Sequence, residues 1–438
     1  MSVSRAKSWL LAEAGKRGVD LEVLSSTQRD LFIDAKDGKA SDVSLSTRGG
    51  IGLRVVVGGK VGYASTEDLS EEALAWVLDE AVENASLQTS GSASLVAGRA
   101  LGRHDLLDEG LSAPLTSKVA AATTLEQQVT ADPRVQSMQY ARYTETQGEV
   151  EIGSTTGSNG GYRTGLAVLI AGLVMREGDS VKQGFEIEAK REFHQLDPGR
   201  TALEAVTNLG RQLGAKPLKT GRRRAVLEPD VVATLLELFC YALSGKTLAE
   251  GKSRLADKLG HRVASRAVTL VDDATLAGGL ASRPFDAEGT PSQRLTVVEE
   301  GVLRSFLHNS DTAARTGQQT TGHAARNYRS TLAVAATNLL LLPGAGVSEQ
   351  DGVIITDLMG VHAGANPISG DVSVQAMGLE VNGGERRPVD DFAISFNLFE
   401  LLERVEEVGD DAKWKVGSGN SAFRVPSLAI ADVSFAGS

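Results

Sequence analysis

Cysteine, aromatic rings, paired histidines and long apolar runs are all scarce in this chain, and each shortage closes off a class of structure or chemistry. A single cysteine, Cys240, rules out an intrachain disulfide. Aromatic residues make up 5% of the 438 residues against 48 glycines, so the chain is expected to rely on strands, tight turns and small-residue packing rather than on stacked rings. The longest apolar run, Leu166 to Met175, falls well short of the roughly 20 residues that span a bilayer. It reads as a buried strand pair, and no membrane span is expected. The N-terminus, MSVSRAKSWLLAEAGKRG, intersperses charges where a secretory leader would be continuously apolar, so the chain reads as cytoplasmic.

Metal-site spacing is also missing. The six histidines are His104, His194, His261, His308, His323 and His362, and no two stand one helical turn apart, as a zinc helix requires. Each reads as a surface or hydrogen-bonded structural histidine. No G-x-S-x-G elbow anchors a serine nucleophile. The segment GKTLAEGKS, Gly245 to Ser253, encloses five residues between its glycines where a phosphate-binding loop has four, and it follows a helical pattern rather than a strand. A helix end and turn explain it. The net charge of -11 repels a phosphate backbone, which excludes a direct nucleic-acid binder. The one basic cluster, Lys216, Lys219, Arg222, Arg223 and Arg224, reads as a solvated linker.

What is present is an apolar content of 41%, enough for two or three domains with real cores. A helix is expected over Ser4 to Lys16, then strands at Asp20 to Leu24, Asp30 to Ala35 and Val43 to Thr47. IGLRVVVGGKVGYAS pairs two β-branched runs around Gly58-Gly59, a tight hairpin. Ser70, followed by Glu71 and Glu72, caps a helix that runs to about Asn84 with Leu74, Val77, Leu78, Ala81 and Val82 buried. A Gly- and Ser-rich connection, Ser86 to Gly98, closes this N-terminal region, residues 1–114. A central module, residues 115–222, holds a helix over Ser117 to Thr130, paired strands within Val135 to Gly153, strand pairs over Tyr162 to Glu177 and Val181 to Phe193, and a helix from about Arg200 to Leu213. The rest, residues 223–438, forms a long C-terminal module.

Carboxylates are the remaining chemical candidates. The pairs Asp272-Asp273, Asp390-Asp391 and Asp410-Asp411 put adjacent side chains on opposite faces of a strand, so they read as loop caps and solvent-facing acids. Asp286 and Glu288, in FDAEGTP, are two apart and would face the same way on an extended segment. They could bind a cation or a peptide amine. The favoured alternative is a turn in which Asp286 accepts backbone N–H bonds before Gly289 and Pro291.

Three blocks resemble the TldD/PmbA family of metallopeptidases, a family also linked by name to DNA gyrase. They are GLRVVVGGKVGYASTEDLSEEAL (Gly52 to Leu74), the stretch from Thr269 to Asn327 that contains RPFDAEGTPSQRLTVVEEGVLRSFL and ARTGQQTTGHAARN, and NPISGDVSVQAMGLEVNGGERRPVDDFAIS (Asn366 to Ser395). The resemblance implies an α+β protein, with an N-terminal α/β region, a central α+β segment and a β-rich C-terminal domain. Zinc-bearing members carry HExxxH on the helix before the second block and a cysteine ligand near the C-terminus. Here that helix reads LLELFCYALSG, Leu235 to Gly245, without histidine, and VGSGNSAFRVPSLAI, Val416 to Ile430, has no thiol.

This pattern resembles the PmbA/TldE branch. It implies no catalytic or metal-binding residue and no cofactor in this chain, zinc in a TldD-like partner, a heterodimer acting on peptides, and inactivity alone. Asp286, Glu288, Arg315 and His323 are the candidates for a substrate channel. The alternative is a peptide-binding or regulatory homodimer, an indirect gyrase modulator without proteolysis.

Overall fold

The computed structural model describes residues 1–89 and 91–437. Its first half is built on one sheet. Helix α1 (Val3–Arg17) leads into β1 (Asp20–Lys36), β2 (Lys39–Val57) and β3 (Lys60–Thr66); α2 (Glu71–Ser86), β4 (Ala100–Leu106) and α3 (Leu115–Thr130) follow. Then come β5 (Val135–Ser154), β6 (Asn159–Glu177), β7 (Ser180–Lys190) and α4 (Pro198–Gly210). The strands order as β3-β2-β1-β5-β6-β4, with β7 also on β6. The hairpin turns at Gly58 and Gly59, whose φ angles of 57° and 78° are those a two-residue turn requires. Ser70 caps α2 by accepting from the Ala73 N–H, as its position before two acids predicts.

The strands are longer than the sequence pattern suggests. Asp20–Lys36 is one strand, and Val135–Ser154 is a single strand rather than a pair, because no turn-forming dipeptide interrupts it. Leu166 to Met175 likewise lies inside β6 and is not a strand pair. Its Gly172 makes no turn: a Cβ there would meet the Tyr140 ring at 2.5 Å, so the glycine admits a ring across the sheet. β1 pairs with β5 from Glu22 opposite Ser154 to Ala35 opposite Ala141, so the sheet continues across residue 115. Helices α1 and α2 cover one end of it, burying Leu10, Val77 and Leu78 against Leu21, Val23 and Leu53. Helices α3 and α4 cover the other, over Ile33, Tyr143 and Leu169. In the connection after α2, Ser90 lies outside the described residues; Gly91 packs on the hairpin, where a Cβ would come within 2.0 Å of the Gly59 carbonyl oxygen.

The second half begins with β8 (Lys216–Pro217), β9 (Gly221–Leu227), α5 (Pro229–Leu243) and α6 (Gly245–Ala249). Strands β10 (Leu270–Asp273), β11 (Arg294–Glu299) and β12 (Val302–Leu303) precede α7 (Ser310–Thr316) and the short β13 (Ala324–Ala325), β14 (Ala333–Val334) and β15 (Asn338–Leu341). The chain continues as β16 (Gly352–Met359), α8 (Val361–Gly364), β17 (Asp371–Asn382), β18 (Glu385–Asn397) and α9 (Leu398–Glu403). It ends with β19 (Val405–Val408), β20 (Lys413–Val416), β21 (Ala422–Val425) and β22 (Leu428–Ala436). Two large sheets result, β12-β11-β10-β15-β21-β20 and β19-β22-β9-β16-β17-β18-β8, with β13 and β14 as a separate two-stranded pair. Helix α5 is apolar on most of its circumference, and Val232, Leu236, Phe239 and Leu243 join the core these sheets share. The α+β class with a β-rich C-terminal portion is therefore the observed one.

The basic cluster is not a solvated linker throughout. Lys216 and Lys219 are exposed, but Arg222, Arg223 and Arg224 lie on β9 between β16 and β22. They pair with Asp432 at 2.6 Å, Glu380 at 3.1 Å and Glu407 at 2.8 Å. Acids far away in sequence neutralise what local composition presents as a charge run. Among the described residues no helix is long and apolar enough to cross a membrane.

Candidate functional site

The Thr269–Asn327 block and the residues just after it form the seam between the two halves. Tyr328 lies across the glycines of β2: a Cβ at Gly52 would sit 2.1 Å from the Tyr328 carbonyl oxygen, so only glycine permits this approach. The Tyr328 hydroxyl donates to Glu67 at 2.6 Å. Phe285 stacks edge-on against Tyr162 of β6 at 5.3 Å, and Arg191 donates to the carbonyls of Gly279 and Ser282 at 2.7 and 2.5 Å.

Asp286 and Glu288 sit at the centre of this seam, both buried. Asp286 does form the turn: its Oδ1 accepts the N–H groups of Glu288 and Thr290, and Gly289 takes a φ of 79°. Its Oδ2 accepts the Ala324 N–H at 3.1 Å. Glu288 instead reaches across the seam. Its Oε1 accepts from Arg54 at 2.9 Å, and its Oε2 accepts the Ser310 N–H at 2.8 Å. Arg54 also lies 3.8 Å from Glu22, which pairs with Arg326 at 2.7 Å. The four side chains, two acids and two bases, are each 1% exposed or less. Burial raises the Glu22 carboxyl above its usual value despite Arg326 and Arg54.

Burial and the neighbouring Glu288 push Asp286 up to about 6, against the pull of Arg283 and the backbone N–H groups. A carboxyl whose folded pKa exceeds its unfolded one stabilises most fully below the unfolded value, and that contribution is lost as pH rises through the folded one. Native protein compared with Asp286→Asn in urea unfolding at pH 4.5 and pH 7 is expected to lose about 2 kcal/mol of relative stability toward the higher pH. A relative stability that is flat or increases with pH would contradict the shift.

His323 is held in a second buried cluster. Its Nε2 lies 3.0 Å from Asp272 Oδ1 and its Nδ1 2.9 Å from the Thr321 hydroxyl, while Asp272 Oδ2 accepts the Thr337 N–H at 2.8 Å. Burial alone would raise Asp272, but His323 and the Thr337 bonds hold it below its usual value. Asp272 and Asp273 are thus interior acids, not solvent-facing ones; Asp273 caps Thr275 from within. Burial, with His323 nearby, pushes His308 down to about 4. Arg315 is apart from these groups. It lies at the exposed end of α7, donating to the Ala249 carbonyl at 3.3 Å and facing Asp311 at 3.6 Å. The structure therefore brings Asp286 and Glu288 together, places His323 beside them through Ala324, and leaves Arg315 outside. Glu22, Arg54 and Arg326 escaped the sequence reading, although a charge inside the apolar runs DLEVL and GLRVVV was the available signal.

The helix that would carry HExxxH and the C-terminal loop do meet. The Ser418 N–H donates to Glu237 Oε1 of α5 at 2.9 Å. The donors at this junction are one carboxylate and a backbone N–H, without imidazole or thiolate, and they do not fit zinc. Cys240 lies on the same helix, but burial raises its thiol away from the thiolate form that binds metal. Among the described residues no group of three or more His, Cys, Asp or Glu is placed to hold a metal ion.

The chain is similar along most of its length to known proteins. The family model of the PmbA/TldA metallopeptidase C-terminal domain matches residues 220–437, that of domain 1 residues 21–85, and that of the central domain residues 108–213. A metalloprotease PmbA homolog of Haemophilus influenzae is 28% identical over 421 residues, covering 93% of this chain and 91% of that one. The crystal structure of a proposed modulator of a DNA gyrase from Thermotoga maritima has a TM-score of 0.89 at 26% identity, covering 99% of this chain and 100% of that one. TldE from Thermococcus kodakarensis, at 21% identity and a TM-score of 0.89 over 98% of this chain and 100% of its own, shares the fold. Matched in all three of its segments, this chain belongs to the PmbA/TldD metallopeptidase family.

Proposed function

We propose that this chain is the zinc-free subunit of a cytoplasmic TldD/TldE-type heteromeric metallopeptidase that processes or degrades peptides and small proteins. The observation that carries the proposal is the junction of Glu237 with Ser418: the helix and the C-terminal loop are brought together with a single carboxylate and neither imidazole nor thiolate. In this reading the chemistry resides in a zinc-bearing TldD-like partner, and this chain contributes channel wall and partner contacts. Of the four channel candidates, Arg315 presents its charge to solvent and is the one to touch peptide. Asp286, Glu288 and His323 support the wall from inside.

Purified alone, the chain is expected to hold no stoichiometric zinc and to cleave no peptide. Adding a zinc-bearing homologue should restore cleavage, and native mass measurement should give one copy of each. Zinc-dependent cleavage by the chain alone would sink this reading. Recovery of a self-pair that ignores the homologue would replace it with the peptide-binding homodimer.

A further inference from the structure

A cleft of about 530 Å³ opens between the central module and the C-terminal half, away from the buried seam. Consecutive residues line it on both sides, Gln183 to Ile187 of β7 and Lys413 to Val416 of β20. Side chains of one strand face alternate, so an unbroken run of lining residues means that the strand's edge, not one face, borders the space. Both strands end their sheets: β7 pairs with β6 and β20 with β21, and among the described residues neither has a second partner. Free edges of this kind offer rows of N–H and C=O groups to an extended chain.

The charges in the cleft are unbalanced. Six lining side chains are acids and three are bases. Two of the bases are already engaged inside the cleft, Arg211 by Glu228 and Lys415 by Asp230. The third, Lys413, leans 3.8 Å from Glu204. Glu186, at 8% exposure, makes no ion pair among the described residues and accepts from Asn208 at 2.8 Å. A buried carboxylate without an ion pair is costly, and Lys415, held by Asp230, offsets only part of the rise that burial imposes on Glu186. A second group points to the same kind of ligand: the Oε1 of Gln212, a side chain 9% exposed and lining the cleft, is buried without a hydrogen-bond partner. An acceptor left over in the same cleft as an unpaired acid calls for a ligand rich in N–H donors. Phe185, 67% exposed, points to the opposite face of β7 from Glu186 and offers an apolar contact to a neighbouring residue of an extended chain.

We propose that this cleft binds an extended peptide segment along the free edge of β7 and selects a lysine or arginine side chain through Glu186 and Gln212. The proposal rests on the reading of the chain as a peptide-handling subunit and adds a preference to it. Backbone bonds to the strand edge give affinity without regard to sequence. The acid and the orphan acceptor supply the choice.

Calorimetry on the full chain alone tests it, with an alternating serine–valine peptide carrying one central lysine and the same peptide carrying glutamate there. The lysine peptide is expected to bind about tenfold or more tightly, the ratio a charge-assisted hydrogen bond gives. Glu186→Gln should erase that ratio. N-methylation of the lysine peptide's backbone should abolish binding, and spermidine, a cation without a peptide backbone, should bind more weakly than the lysine peptide. Equal binding of the two peptides by the native chain overturns the selection, a comparison that needs no variant to fold. Tight binding of the N-methylated peptide or of spermidine overturns the strand-edge mode. Because no partner is present, either failure leaves restored cleavage with the zinc-bearing homologue as a separate result.

Discussion

Replacing Glu288 with alanine is expected to lower the unfolding stability by about 3–5 kcal/mol, the usual cost of removing one partner from a buried ion pair. Arg54 would lose the partner at 2.9 Å and keep only Glu22 at 3.8 Å, while Arg326 continues to share that single acid. Two guanidinium groups would then face one carboxylate in a space closed to water. The network is already short of partners, since Glu22 Oε2 and the Nε atoms of Arg54 and Arg326 are buried without hydrogen bonds. Replacing all four charged residues by apolar ones of similar volume should cost far less than the single change, because desolvation of the set cancels much of its attraction. Urea unfolding of both variants decides the matter. A loss under about 1 kcal/mol for Glu288→Ala would place the network among pairs that contribute little.

The second large effect is expected at Gly52. Its backbone does not have a positive φ, so alanine is not conformationally strained there. The obstacle is the backbone of Tyr328, whose carbonyl oxygen and carbon would lie 2.1 and 2.7 Å from the new Cβ. Backbone cannot rotate aside as a side chain can, so Gly52→Ala is expected to cost about 3 kcal/mol or more and to lift the segment around Tyr328 from β2. Limited proteolysis should then cut near Arg326, whose side chain is buried in the native fold. Gly58→Ala is the control. With a φ of 57° and no atom within 4 Å of the added Cβ, it carries only conformational strain of roughly 1 kcal/mol. Equal melting temperatures for the two variants would mean that the seam yields easily.

Local features were readable in the sequence because they depend on neighbours in the chain. The Gly58-Gly59 turn, the Ser70 cap and the stripe of Leu74, Val77, Leu78 and Ala81 follow from backbone freedom, hydroxyl geometry and helical period, and all are present. In place of Val82, which is partly buried, Ala85 completes the buried stripe. Strand ends were less readable. A residue such as Gly172 looks like a break in isolation, and the Tyr140 ring that justifies it stands on another strand. The arginines of β9 misled for the same reason: Glu380, Glu407 and Asp432 lie more than 150 residues away along the chain.

At the site, the sequence by itself determined composition: which blocks are shared with the family, that LLELFCYALSG brings no histidine, and that no thiol follows Val416. It also determined the Asp286 turn, whose hydrogen bonds to Glu288 and Thr290 span only a few residues. Tertiary structure alone decided what those residues face. Arg54 and Glu288 are 234 positions apart and Glu22 and Arg326 are 304 apart, so no periodicity links them. They meet because the C-terminal block docks on the N-terminal sheet at glycines small enough to let it in. The same docking leaves β7 and β20 with open edges on the cleft, and a free edge is a property of sheet order that no local pattern records.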